Sequence, residues 1–147
     1  MVAETARLRR AATRTGDLIP ARRRIDARHA GARGCTPQSC GFRDHFAELK
    51  ALGVAHVFGL STQDTAYQQE VADRLHLPFP ILSDAALDFA TSLHLPLFMT
   101  AGMTLLARMA VIIDDGTIVK VFYPVFPPDK SAAEVVAWLR SRHVTAK

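Results

Sequence analysis

The sequence predicts an α/β protein in which helices cover both faces of one sheet. Three observations support this fold class. From Gly34 onward, segments with helical spacing of apolar residues alternate with short runs rich in Val, Ile and Phe. Two strand-like runs flank Asp115-Gly116, a dipeptide typical of a tight hairpin turn. At 147 residues, the chain has the usual length of one domain and can bury its own core.

The first elements after Gly34 are a helix and a buried strand. Apolar residues at helical spacing between Phe42 and Leu52 predict a helix over about residues 37–52, and Gly53 supplies its end. The run VAHVFGLS that follows is rich in Val and Phe and too short for a second helix. We therefore expect a strand over residues 54–61.

Two further helices with a short strand between them are predicted next. Tyr67, Val71 and Leu75 have helical spacing, and the prolines of the following LPFP cannot continue a helix. Asp84 is placed to cap a short third helix that contains Leu87.

The C-terminal part is predicted to be a hairpin followed by a helix. RMAVIIDDGTIVKVFY reads as two strands joined at Asp115-Gly116. Ser131 and Glu134 have the spacing of a capping box ahead of the apolar residues of a final amphipathic helix.

Charge is distributed unevenly along the chain. Residues 1–34 hold nine arginines against three acidic residues, whereas the remainder holds 9 basic and 11 acidic residues. The mildly acidic body gives no reason to expect nucleic acid as a partner. No apolar run approaches the length of a membrane span, and two cysteines make a poor secreted scaffold, so we expect a cytoplasmic protein without a membrane partner.

The only cysteines, Cys35 and Cys40, lie in GCTPQSCGFRD at the start of the first predicted helix. Pro37 suits a first helical turn, so Cys35 lies at the helix N-terminus, where backbone N–H groups and the dipole favour a thiolate. Five residues of helix give roughly 7.5 Å of rise and about 140° of rotation, and a disulfide needs closer, converging atoms. The pair can bond only if the first turns unwind. Two interpretations stay open at this point: a two-step redox pair, and two buried small hydrophobic residues.

A resemblance to a known family favours the first interpretation. GCTPQSCGFRDHFAELKALGV, VFGLSTQD, PFPILSD and RMAVIIDDGTIVKVFYPVFPP occur in this order, and residues 31–143 closely resemble the peroxiredoxins of the bacterioferritin-comigratory-protein type. The resemblance implies a thioredoxin-like fold and a thiol-dependent peroxidase acting on hydrogen peroxide or organic hydroperoxides. It implies Cys35 as peroxidatic cysteine, Cys40 as resolving cysteine and Arg108 as the active-site arginine. It also implies an intramolecular disulfide, a thioredoxin-like electron donor and no cofactor.

Other polar residues have structural interpretations. We expect Thr62 and Gln63 to act as caps, Met99, Met103 and Met109 to pack in the core or loops, and no metal site.

The N-terminal segment departs from the family pattern. The superfamily places a proline and a threonine where this chain has Arg28 and Ala32, and no apolar strand is visible before Gly34. We therefore expect residues 1–30 to be irregular or loosely helical, residues 31–147 to form the domain, and the sheet to lack its first strand. We expect the assembly to be a monomer or a weak homo-oligomer. A disrupted reading frame and an Arg-rich targeting peptide both remain explanations of this segment, and an inactive thioredoxin-like fragment remains the alternative function.

Overall fold

The computed structural model describes residues 1–5 and 35–144. Seven strands, five α-helices and one 3₁₀ turn lie within these ranges. In chain order they are β1 (Val2–Thr5), α1 (Cys35–Asp44), α2 (Phe46–Ala51), β2 (Val54–Ser61), α3 (Thr65–Arg74), β3 (Ile81–Ser83), α4 (Asp88–Ser92), β4 (Leu97–Thr100), β5 (Met103–Leu106), β6 (Ala110–Asp114), β7 (Thr117–Phe122), the 3₁₀ turn (Pro128–Lys130) and α5 (Ser131–Val144). None of the helices in the described ranges is both long and apolar enough to be a membrane span.

Five strands form the central sheet in the order β3-β2-β1-β6-β7. β2 and β3 are parallel, β1 is parallel to β6, and β6 and β7 form an antiparallel hairpin. Asp115 and Gly116 join that hairpin with φ of 49° and 72°, the left-handed conformation that the Asp-Gly dipeptide predicted. The α/β class and the predicted strand over residues 54–61 are confirmed.

The expectation that the sheet lacks a central strand is wrong. Residues Val2–Thr5 form β1 and lie between β2 and β6 as an interior strand. β1 is antiparallel to β2, whereas a strand leading through a helix directly into β2 would be parallel to it. Residues 2–5 therefore occupy the central position of the sheet, but they run antiparallel to β2. The predicted irregular structure of residues 6–30 lies outside the described residues.

Both faces of the sheet are covered. Ile112 is fully buried in a core cluster with Phe42, Leu49 and Leu139, from the helices α1, α2 and α5. Its neighbour Val111 belongs to a second cluster that includes Ala90 of α4. Because adjacent strand residues point to opposite faces, each face buries its own set of apolar side chains.

Two features of the helices and loops differ from the predictions. The first helix begins at Cys35 and divides at His45 into α1 and α2, although the backbone N–H of Leu49 still donates to the carbonyl of His45. The hairpin of β4 and β5, turning at Ala101 and Gly102, was not predicted. Asp84 accepts hydrogen bonds from the N–H groups of Phe89 and Ala90, so its predicted capping of α4 is confirmed.

Candidate active site

The first cysteine lies where the sequence placed it, at a helix start. Cys35 is the first residue of α1, and Pro37 occupies the first turn. Backbone N–H groups at this end have no acceptors within the helix, so an anion there is stabilised. The position of the Cys35 side chain lies outside what the structure describes, as do Arg28 and Ala32.

The second cysteine belongs to the same helix. Cys40 is half-buried with a free thiol, within the ten residues Cys35–Asp44. The helical separation of the two cysteines excludes a disulfide between them while α1 stays folded. Any chemistry that joins them requires the first turns of α1 to unwind.

Arg43 follows Cys40 by one helical turn and anchors the end of α1. Its Nη1 donates to the carbonyl oxygen of Leu75 over 2.9 Å, and its Nε donates to Asp44 Oδ1 over 2.9 Å. The hydrogen bond to Asp44 raises the pKa of the Arg43 guanidinium above its ordinary value, with partial desolvation opposing the shift. The side chain therefore stays positively charged.

Arg108 lies in the connection between β5 and β6 and is buried, with 9% of its surface exposed. Its backbone carbonyl accepts a hydrogen bond from the N–H of Val125 over 3.4 Å, which fixes this connection against the loop after β7. A buried guanidinium has a fixed charge and five N–H donors, which suits it to bind oxygen atoms that gain charge in a reaction.

Gln38 joins the cysteine helix to the Arg108 connection. Its Nε2 donates to the carbonyl oxygen of Met109 over 3.2 Å and to Ser131 Oγ over 3.1 Å. Gln38 and Arg108 both line a cavity of about 60 Å³, together with the apolar side chains of Leu60, Phe89, Leu95 and Leu106. The structure therefore brings the first turn of α1 and Arg108 to one cavity that is otherwise lined mostly by apolar side chains.

The sequence alone did not identify Gln38 as part of the site. Its partners are 71 and 93 positions away along the chain, so no local spacing marks it. The available signal was weak: a polar residue one turn after Cys35, on a helix that has to cover a core.

The loop after β2 differs from its predicted role. Asp64, which accepts from the N–H of Tyr67, caps α3. Thr62 instead donates from its hydroxyl to the carbonyl oxygen of Thr104 over 2.8 Å. Gln63 Nε2 contacts Met103 Sδ at 3.7 Å. The prediction of Thr62 and Gln63 as caps is therefore wrong: they connect this loop to the β4–β5 hairpin that leads to Arg108.

The methionines divide into two groups. Met109 is buried, as one of the two predicted settings (core or loop) requires, whereas Met99 and Met103 lie in the β4–β5 hairpin and are exposed at 68% and 43%, so neither packs in the core. No group of three or more His, Cys, Asp or Glu residues suited to a metal ion occurs within residues 1–5 and 35–144.

Comparison with known proteins shows the family of this chain. A family model named Redoxin matches residues 27–136. Peroxiredoxin Q, chloroplastic, of Oryza sativa subsp. japonica is 33% identical over 109 residues, covering 74% of this chain and 49% of that protein. The corresponding protein of Arabidopsis thaliana is 29% identical over 109 residues, again covering 74% of this chain and 49% of that protein. The chain thus spans about half the length of the curated relatives it matches.

Solved structures agree with this assignment of the fold. The peroxidoxin BcpB of Mycobacterium tuberculosis superposes with a TM-score of 0.65 at 28% identity, covering 76% of this chain and 73% of that one. Reduced Prx3 of Vibrio vulnificus in complex with H₂O₂ superposes with a TM-score of 0.65 at 23% identity, covering 97% and 79%. The central sheet and its helices therefore have the architecture of the thioredoxin-fold peroxiredoxins.

Proposed function

Because this chain belongs to the redoxin family, in its peroxiredoxin Q or bacterioferritin-comigratory branch, we propose that it is a thiol-dependent peroxidase that reduces hydroperoxides. The observation that carries the proposal is the position of Cys35 at the N-terminus of α1, one turn before Gln38, which shares a cavity with the buried Arg108. A helix N-terminus favours a thiolate, and the guanidinium adds fixed positive charge.

The first step oxidises Cys35. The thiolate attacks one oxygen of the hydroperoxide, a sulfur–oxygen bond forms, and the oxygen–oxygen bond breaks. Cys35 becomes a sulfenic acid, and the departing oxygen takes a proton and leaves as water or an alcohol. Arg108 stabilises the negative charge that develops on the departing oxygen through its fixed positive charge and its N–H donors.

The second step joins the two cysteines. After α1 unwinds, the Cys40 thiolate attacks the sulfur of the Cys35 sulfenic acid, a disulfide forms, and hydroxide leaves and is protonated to water. A thioredoxin-like dithiol then reduces the disulfide by thiol–disulfide exchange and is itself oxidised. The reducing donors of the cytoplasm support this cycle, and we propose that compartment for the protein.

The inactive-fragment alternative is not favoured. It depended on the absence of the central strand that supports the active-site helix, and β1 occupies that position. A monomer or weak homo-oligomer stays our expectation for the assembly.

A coupled assay tests the function. Purified protein, a thioredoxin and its reductase should consume hydrogen peroxide or an organic hydroperoxide with oxidation of the nicotinamide cofactor of the reductase. Cys35→Ser should abolish the reaction, while Cys40→Ser should consume one equivalent and stop. Full cycling by the Cys35→Ser protein, or oxidation of the wild-type thiols no faster than that of free cysteine, would overturn the proposal.

A further inference from the structure

The two halves of α1 are held by different contacts. In the first half, the buried Gln38 amide donates to Met109 O and Ser131 Oγ. In the second half, Phe42 is buried in the core at 1% exposure, and Arg43 donates to the carbonyl oxygen of Leu75. Among the contacts of the described residues, the first half is held by the hydrogen bonds of Gln38 and by the burial of Ser39, and the second half by the burial of Phe42 and the hydrogen bond of Arg43.

The proposed disulfide requires only the first half to move. Cys35 and Cys40 bound the segment that has to unwind, and Gln38 lies between them. Phe42 can keep its place in the core while this segment changes conformation. Gln38 cannot keep its place, because unwinding of the backbone around it would break its hydrogen bonds to Met109 and Ser131.

We infer that Gln38 is a latch residue: its two hydrogen bonds keep α1 folded for the attack on peroxide, and their release limits the rate at which Cys40 reaches Cys35. This inference rests on the proposed function. Gln38 acts as a positioning residue, since it holds the helix and leaves the sulfur chemistry to the cysteines. Met109 and Ser131 are the two acceptors of the latch.

The latch has a chemical consequence at high peroxide concentration. A Cys35 sulfenic acid that waits for Cys40 can react with a second hydroperoxide, which oxidises it to a sulfinic acid and leaves as an alcohol or water. The rate of unwinding decides between this reaction and the disulfide. A tight latch favours the sulfinic acid, and a loosened latch favours the disulfide.

Gln38→Leu tests the latch directly. The substitution keeps the size of the side chain and removes both hydrogen bonds, so the folded first half of α1 should be less favoured relative to the unwound form. After one equivalent of hydrogen peroxide, the disulfide should form roughly tenfold faster than in the wild type. In excess peroxide, the fraction of sulfinic acid should fall. Mass spectrometry of quenched samples follows both products.

Two further variants keep the test decisive. Ser131→Ala removes one acceptor. Like Gln38→Leu, it should raise the rate of disulfide formation and lower the fraction of sulfinic acid, by a smaller factor. It decides the question if Gln38→Leu fails to fold. Gln69→Leu is the matched control, because it makes the same substitution in α3, where Nε2 of Gln69 donates to Asp73 on the exposed surface at 2.9 Å. Its rate of disulfide formation should equal that of the wild type.

A second oxidant separates failure of the latch from failure of the proposed function. Diamide couples two thiols to a disulfide without a sulfenic acid, yet joining Cys35 to Cys40 still requires the first half of α1 to unwind. If the protein does not react with peroxide, faster disulfide formation by diamide in Gln38→Leu still supports the latch. Unchanged or slower disulfide formation in Gln38→Leu and Ser131→Ala, under both oxidants, would overturn it.

Discussion

Ala3 lies directly opposite Val57 in the central sheet, on strands that run in opposite directions. The same residue pairs with Ile112 on its other side, and its own surface is 2% exposed. An N-terminal segment that looked unsuited to a sheet thus contributes to the core on which α1 rests.

Replacing Ala3 by Asp should destabilise the protein strongly. The new carboxyl group would enter the core cluster without a partner, and burial of an unpaired polar group, even in its neutral form, costs about 3 kcal/mol. Urea unfolding followed by circular dichroism should show this loss of free energy of unfolding. The matched control is Ala86→Asp, the same substitution at an exposed turn, which should leave the midpoint unchanged. Equal midpoints for the two variants would mean that residues 2–5 are not in the sheet.

Local sequence signals predicted much of this fold, and they predicted Cys35 but not Gln38 in the site. VAHVFGLS is mostly apolar and contains two valines and a phenylalanine, and Asp115-Gly116 favours a left-handed turn, so both were predictable without knowledge of their neighbours. The segment VAET has no such pattern. It forms a strand because β2 and β6 supply partners on both sides, which is a tertiary effect.

The site residues divide in the same way, into those signalled by the local sequence and those positioned by tertiary packing. Cys35 at a helix start was predictable from Pro37, since the signal lies within a few residues. The link from Gln38 to Met109 and Ser131 depends on how α1 packs against two distant elements, and no spacing in the sequence reports it.

The Thr62 hydroxyl should stabilise the hairpin that leads to Arg108. Thr62→Val keeps the shape of the side chain and removes the hydrogen bond to Thr104 O. We therefore expect the free energy of unfolding to fall by about 1 kcal/mol. Amide hydrogen exchange should become faster within β4 and β5. Thr62→Ser keeps the hydroxyl and should retain most of the protection. Unchanged exchange in Thr62→Val would show that the loop does not hold the hairpin.

Gly59 should tolerate no side chain because of its neighbour in β3. A Cβ atom added at Gly59 would lie 2.9 Å from Cγ1 and 3.1 Å from Cγ2 of Ile81. Gly59→Ala should therefore lower the free energy of unfolding by about 2 kcal/mol through overpacking. In Gly59→Ala/Ile81→Ala, the two γ-carbons that cause the clash are gone, and the double variant should lose less than the sum of the single variants. Strict additivity in urea unfolding would refute the clash.

The pairing of Glu48 should make stability depend on pH in the acid range. His45 Nδ1 donates to Glu48 Oε2 over 3.0 Å, and Arg140 of α5 binds the other carboxylate oxygen. The hydrogen bond from His45, followed by the charge of Arg140, lowers the pKa of Glu48, with desolvation opposing them. Because the folded-state pKa lies below the unfolded one, the contribution of Glu48 is full above the unfolded pKa, about 4.5, and is lost as the pH falls through the folded-state value. The difference in the free energy of unfolding between the wild type and Glu48→Gln, measured by urea unfolding, should be constant near pH 7 and shrink towards pH 3. Arg140→Gln should reduce that dependence, and a difference that grows on acidification would contradict the assignment.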